Sequence, residues 1–287
     1  MADYRPAAIK LQEQDLKGKV AIVTGATKGI GRAIALNLAS RGCSVLGTYS
    51  SPQSAHHFDV LCHTISDLYN APEVPEQIRG NAPTLKGVVA DITSLASVGA
   101  VLTNLERDFE NKLDILVLNA AYNTRPRVGS ASEEDVQKSL TGNLQWPIVL
   151  VENLTRHKLF QPSSRVVILS SDRVRDPSTG SSIYNATKAG LEALMRSWAL
   201  ELPLTFPGTT VNAVSVGLTD TPGLNSFDPA WVELVKENRL PKVKVVQGGR
   251  MGYPEDIADI VGWLVSEKSR WQSGSVVAAN GGAEYLG

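Results

Sequence analysis

The chain has 287 residues, 43% of them hydrophobic and 20% charged, with 24 Gly and 15 Pro. These proportions exclude a fibrous or disordered protein and fit one large α/β domain. A formal net charge of −1, from 28 Lys+Arg against 29 Asp+Glu, offers no global field to a phosphate backbone or an anionic membrane, so neither is expected as a partner.

In chain order, residues 1–17 form an N-terminal extension ahead of the first strand, VAIVT at 20–24. A helix is expected over 30–41, a strand over 44–49 (SVLGTY) and a helix over 53–68. Residues 70–84, with three Pro, read as a surface insertion before the strand 86–90 (KGVVA). A helix over 94–109, a strand over 115–119 (ILVLN), a long helix over 132–157 and a strand over 165–170 (RVVILS) follow. The helix 183–202, the strand 209–214 (TTVNAV), short helices over 229–237 and 255–266, and the strand 274–279 (GSVVAA) complete the pattern. Short Val/Ile/Leu runs alternating with helix-period segments predict a doubly wound, seven-stranded parallel sheet with helices on both faces. No linker divides residues 18–287, so one domain is expected, with its ligand crevice at the carboxyl ends of the strands.

The first strand runs directly into TGATKGIG at 24–31 and then into a helix. Gly25 permits a tight turn, while Gly29 and Gly31 remove side chains where backbone must approach a pyrophosphate at a helix N-terminus. A flexible turn is the plainer alternative, and the flanking strand and helix favour dinucleotide binding over it.

The spacing Thr-Gly-x-x-x-Gly-Ile-Gly resembles the cofactor turn of the short-chain dehydrogenase/reductase family, and the resemblance continues in order along nearly the whole chain. It implies cofactor contacts from Gly25, Thr27, Lys28, Gly29, Ile30 and Gly31, and from Asp91 and Ile92 in VVADIT at the adenine ring. It extends them to Asn119 and Ala120 in LNAAYN, and to Thr219 and Thr221 in VGLTDTPG. Asn143 in TGNLQWP, Ser171, Tyr184 and Lys188 match the catalytic tetrad of the family, with Lys188 also holding the nicotinamide ribose. Two positions depart from the family pattern: Ala121 stands where Gly is usual and Val216 where Pro is usual.

Tyr184 and Lys188 lie four residues apart, on one face of a helix whose apolar stripe is Leu191, Leu194, Trp198 and Leu202. A free phenol titrates near ~10, and an ammonium held beside it is expected to lower that value. Such a pair also occurs on solvated helix faces; the discriminator is Ser171, which ends a different strand at the crevice rim. The implied reaction is hydride transfer from NADP(H) to a carbonyl carbon, with Tyr184 giving the proton and Ser171 stabilising the oxygen. The same site run in the oxidative direction is an alcohol dehydrogenase, and a sensor or scaffold that binds the dinucleotide without turnover is a third reading, disfavoured by the intact tetrad.

The phosphate preference follows from the end of the second strand. Thr48-Tyr49-Ser50-Ser51 carries no acid to hold a ribose 2′-hydroxyl, Ser50 and Ser51 can donate to a 2′-phosphate, and Lys28 adds a cation. Residues 217–248 take the place of a substrate loop, in which Leu218, Leu224, Phe227 and Trp231 either line the pocket or pack on the body. Arg125, Arg127, Arg173 and Arg175 follow strands into the crevice; they are either surface ion-pair partners or grips for an anionic or polyoxygenated substrate.

Other residues suggest no further chemistry. His56, His57 and His63 read as a solvated helix face and His157 as a helix C-terminal residue. Trp198, Trp263 and Trp271 read as core or subunit contacts, and Cys43 as packing. With Cys43 and Cys62 alone, neither a disulfide framework nor a metal site is expected, and a cytoplasmic setting follows. The charged amino end and the Pro- and Gly-broken uncharged run 202–219 predict neither a signal peptide nor a membrane span. The family resemblance further implies a homo-oligomer, a dimer or tetramer, built on the two long helices and the last strand.

Overall fold

The computed structural model describes residues 9–245 and 249–285. Residues 1–8 of the extension, 246–248 of the substrate segment and the last two residues lie outside that range.

Seven parallel strands form one sheet in the order β3-β2-β1-β4-β5-β6-β7. They are β1 Val20–Val23, β2 Ser44–Tyr49, β3 Leu85–Val89, β4 Leu113–Leu118, β5 Phe160–Leu169, β6 Thr210–Val216 and β7 Val276–Ala279. The doubly wound sheet expected from the sequence is the one found. The chain moves outward from β1 to β3, returns to lay β4 against the other side of β1, and continues to β7. Such a reversal leaves a crevice beyond the carboxyl ends of the two central strands.

Side-chain alternation assigns the two faces. Ala21, Val23, Val45, Ile115, Val117 and Val214 point into a core with α1 (Gly29–Ser40), α2 (Ala55–Asn70) and α9 (Pro254–Leu264). Val20, Ile22, Leu46, Leu116, Ile168 and Val211 point into the opposite core, under α3 (Ser97–Phe109), α5 (Trp146–Arg156) and α6 (Ser182–Thr205). The stripe Leu191, Trp198 and Leu202 of α6 enters this second core, with Leu194 packed at its border.

The helix expected over 132–157 is three pieces. α4 (Glu133–Leu140) and α5 are joined by a π-helical turn, Thr141–Gln145, that contains Asn143. Pro147 has no N–H to give the carbonyl four residues back, which is that of Asn143, so a continuous α-helical ladder is not available there. Two short helices, α7 (Pro222–Asn225) and α8 (Pro229–Arg239), lie in the segment after β6, and α7 was not expected from the sequence.

Residues 9–17 pack along the body. Leu16 is buried, both oxygens of Asp15 accept from one guanidinium edge of Arg41, its Nε and Nη2, and Gln14 accepts from the Tyr69 hydroxyl. The 70–84 segment is largely exposed but pinned by the buried side chain of Val74. Trp198 is buried, whereas Trp263, on α9, is 42% and Trp271, ahead of β7, 98% exposed; the core reading fails for these last two.

Trp146 is the largest fully buried side chain, and its indole N–H donates to Ser97 Oγ at 2.9 Å. Because it starts α5 directly after the π turn, Trp146→Ala should cost about 3–5 kcal/mol of stability in urea unfolding, with Trp146→Phe retaining most of it.

Candidate active site

The crevice begins with a close approach of backbone to backbone. Thr24 Oγ1 accepts from the backbone N–H groups of Asn119 at 2.8 Å and Ala120 at 2.9 Å, joining the ends of β1 and β4. The Asn119 amide donates to the Thr24 carbonyl at 2.8 Å, and the Thr48 hydroxyl accepts from Gly25 N at 3.2 Å. Gly25 has φ +70° and Gly29 φ +54°, left-handed values suited to glycine. A Cβ on Gly31 would stand 2.2 Å from the Gly25 carbonyl oxygen and 2.5 Å from Asn119 Nδ2, so no larger residue fits.

This turn floors a groove of about 350 Å³, lined among others by Thr27, Lys28, Ile30, Ser50, Ile92 and Ala120. Lys28 is exposed at its rim and is the one charged residue on the groove wall among the described residues. Two expected contacts stand apart from it. Ser51 Oγ lies 3.5 Å from Ser54 Oγ, and Asp91 Oδ1 accepts from the backbone and hydroxyl of Thr93, both at 2.9 Å; neither side chain lines the groove. The backbone after β3 has turned Asp91 into its own loop. Thr221 lines the groove and accepts from Leu224 N as the cap of α7, whereas Thr219 lines only the adjoining cavity.

That cavity, of about 200 Å³, shares Asn119, Tyr184 and Thr221 with the groove and is walled by Ser171 and Lys188. Ser171, just past β5, is buried, and its hydroxyl accepts from Arg173 N at 3.2 Å, which leaves its own proton to donate. Lys188 is 2% exposed and donates to the Leu169 carbonyl at 2.6 Å, with its nitrogen 5.6 Å from the centre of the Tyr184 ring. Burial lowers the Lys188 ammonium to about 8.

The expected lowering of the Tyr184 phenol does not occur. Burial raises it, and the opposing influences come from Arg125, Arg173 and the Ser171 hydroxyl. The ammonium of Lys188 is committed to a carbonyl and sits beside the ring, which explains its small effect. Asn143 is buried in its π turn. Its Oδ1 accepts from Tyr122 N at 2.6 Å, and its Nδ2 donates to the Tyr122 carbonyl at 2.9 Å and Thr187 Oγ1 at 3.3 Å. It thus ties the loop after β4 to α6, one residue before Lys188.

The four arginines separate. Arg127 is exposed, and Arg175 makes a two-pronged pair with the buried Glu192 at 3.0 and 2.8 Å, outside the cavity wall. Arg125 and Arg173 do line the cavity, together with Arg239 of α8, which sequence reasoning missed. Arg239 binds Asp172 at 3.2 Å and Asp176 at 2.9 Å across more than sixty residues, a pairing that no local spacing signals. Burial, with Arg239 and Arg125 nearby, pushes Arg173 down to about 10. Leu218, Leu224, Phe227 and Trp231 all line the cavity, which settles the two alternatives left open for them.

Residues 25–284 match the family model described as enoyl-(acyl carrier protein) reductase. The chain is 31% identical to L-xylulose reductase of Aspergillus niger over 95% of its own length and 99% of the relative's. It is 34% identical to NADPH-dependent aldehyde reductase 2, chloroplastic, of Arabidopsis thaliana, over 93% and 94%. The crystal structure of a short chain dehydrogenase from Burkholderia cenocepacia in complex with NADP superposes with a TM-score of 0.77 at 28% identity, covering 94% of this chain and 99% of that one. The chain belongs to the short-chain dehydrogenase/reductase family.

Within this family frame the two departures are local. Val216 ends β6 opposite Ala279, and Ala121 lies on the wall shared by the groove and the cavity. The histidines of α2 are exposed, with Nδ1 of His56 and His63 each 2.8 Å from a nearby backbone carbonyl. Cys43 is fully buried and its thiol raised by burial, as packing requires.

Two outcomes follow from this geometry. Gly31→Ala should weaken dinucleotide binding by about a hundredfold or more in fluorescence titration, since backbone rather than a flexible side chain would have to move. For Lys188 the folded value, about 8, lies below the ordinary 10.5, so between those values the unfolded chain holds more protons. Stability relative to Lys188→Met should therefore rise with pH across that window in chemical denaturation, and a flat difference would contradict the burial of a charged lysine.

Proposed function

We propose that this chain is an NADPH-dependent carbonyl reductase that converts a ketone or aldehyde of a small to medium metabolite into an alcohol. The observation that carries the reading is the position of Tyr184. It lines the cavity beside Ser171 and Lys188 and also the groove of the glycine turn.

The residues present fit a phosphorylated dinucleotide. The turn has space only where glycines stand, no carboxylate lines the groove, and Lys28 is exposed at its rim with no carboxylate partner among the described residues. Gly25, Gly29 and Gly31 would admit the pyrophosphate to the N-terminus of α1, Lys28 and Ser50 would hold the adenosine phosphate, Ile92 would border the adenine, and Asn119 would keep the turn in shape. NADPH, when bound, supplies the hydride. Two relatives support the choice: one is named as NADPH-dependent and one was solved with NADP.

The protein's own part is to receive the carbonyl oxygen. Ser171 donates its hydroxyl to that oxygen and Tyr184 releases its proton to it. A phenol raised by burial keeps its proton at neutral pH, which suits a donor. Lys188 and Asn143 hold the phenol and the loop after β4 in place.

A cytoplasmic setting and a homo-oligomer belong to the same proposal. Cys43 and Cys62 are both free, and no described helix is long and apolar enough to cross a membrane. Leu200 and Leu204 at the end of α6 are 76% and 84% exposed, apolar surface of the kind a partner copy covers.

Tyr184→Phe should lower kcat by about a hundredfold or more while NADPH still binds. Near-normal turnover would end the mechanism. Wild-type kcat/KM should be higher with NADPH than with NADH, and Lys28→Glu should shift that ratio toward NADH by about tenfold. An unchanged ratio would remove Lys28 from phosphate recognition.

A further inference from the structure

The cavity wall carries an unusual charge. Its charged side chains, among the described residues, are the cations Arg125, Arg173, Lys188 and Arg239 and a single carboxylate, Asp172, in a chain whose formal net charge is −1. Asp172 is already paired with Arg239 at 3.2 Å. Arg173 donates to Ser178 Oγ and Lys188 to the Leu169 carbonyl. Arg125 differs from all of these: its Nε and Nη1 are buried and have no hydrogen-bond partner.

Unpaired guanidinium donors removed from water cost free energy, and the rest of this wall shows that the fold can supply partners. Arg125 is instead boxed by rings. Its guanidinium carbon lies 5.5 Å from the centre of Tyr184, 5.5 Å from Phe227 and 5.2 Å from Trp231. Gly180 fixes its backbone, since a Cβ there would meet the Arg125 carbonyl at 2.6 Å. The guanidinium is thus held within cation–π range of three rings, with two of its donors left for whatever shares the cavity.

Resting on the reductase reading, we propose that the substrate is a carboxylate-bearing carbonyl compound and that Arg125, with Arg173 beside it, binds the carboxylate. A planar monoanion matches the guanidinium fork; a phosphate dianion would lose far more hydration on entering the same walls. The distance from Arg125 to Tyr184 sets the length of the molecule. With the Arg125 guanidinium carbon 5.5 Å from the centre of the Tyr184 ring, a molecule that reaches both side chains is short, with its carboxylate and reducible carbonyl a few bonds apart, as in a short keto acid. Anchored so, the carbonyl oxygen lies toward Ser171 and Tyr184. The burial of Arg125 and Arg173, which depresses both guanidiniums, makes an arriving anion more favourable still.

The test separates binding from turnover. The enzyme·NADPH complex is titrated calorimetrically with benzoate and benzamide, which match in shape and differ in charge, and rates are measured on keto acids paired with their primary amides. Benzoate should bind at least about tenfold more tightly than benzamide, and keto acids should show the lower KM. Arg125→Gln should abolish both preferences, Arg125→Lys should restore part of the first, and Arg127→Gln, at an exposed position, should retain both. Equal binding of benzoate and benzamide by the wild type overturns the proposal, as does a benzoate preference that survives in Arg125→Gln of native circular dichroism. A benzoate preference lost in Arg125→Gln, together with no oxidation of NADPH by any carbonyl compound, upholds the anion site and overturns the reductase reading instead.

Discussion

The whole crevice hangs on one steric constraint: the peptide of Gly25 must come within contact of the first turn of α1, where Gly31 stands. A methyl group at that point would overlap the Gly25 carbonyl oxygen. Because the approach is allowed, β1 ends beside β4, and the Thr24 hydroxyl can bridge to Asn119 and Ala120. The loop after β4 then starts from a fixed point, and Asn143 fastens its next residues through both edges of its amide. From there the chain of support reaches Thr187 and the helix carrying Tyr184 and Lys188. Polar contacts at the strand ends thus link the glycine turn to the helix that carries Tyr184 and Lys188.

A second constraint is desolvation. Lys188 is nearly inaccessible and is stabilised by one carbonyl, so its ammonium is held weakly. Tyr184 gains proton affinity from the same burial, and only the arginines and the Ser171 hydroxyl pull against it. The two shifts have opposite signs and one cause: each disfavours the charged form. The site thus holds a phenol whose proton is bound more firmly, and a lysine whose proton is bound less firmly, than either would be in water.

Much of this was legible in the sequence because it is periodic or local. The alternation of Val/Ile/Leu runs with helices gave the sheet, and Gly25, Gly29 and Gly31 gave the turn, since each requirement is met within a few residues. The break at Asn143 was not read, although Pro147 was its signal: a proline four residues after a helical carbonyl removes its donor. Asp91 was assigned by resemblance and Ser51 from its place at the end of the second strand, and their own neighbours, Thr93 and Ser54, compete for them in the structure. Arg239 had no local signal at all. Its partners Asp172 and Asp176 lie on the far side of α6 and β6 in sequence, and long-range pairing of charges is not encoded in spacing.

That pairing also explains why a cation on the cavity wall can remain without a partner. Of the acidic side chains nearest the arginines, Glu192 is held by Arg175 and Ser170, Asp172 by Arg239, and Asp176 by Arg239 and Lys242. Each of these carboxylates is already engaged, and none is hydrogen-bonded to Arg125. Asp172 lines the cavity yet is paired with Arg239, and a buried pair of that kind yields little net stability for its desolvation. Arg239, contributed by the segment that also brings Phe227 and Trp231, thus ties α8 to the turn after β5 and engages the one carboxylate on the wall among the described residues. The charge of the cavity is in this sense a property of the covering segment as much as of the loops after β4 and β5.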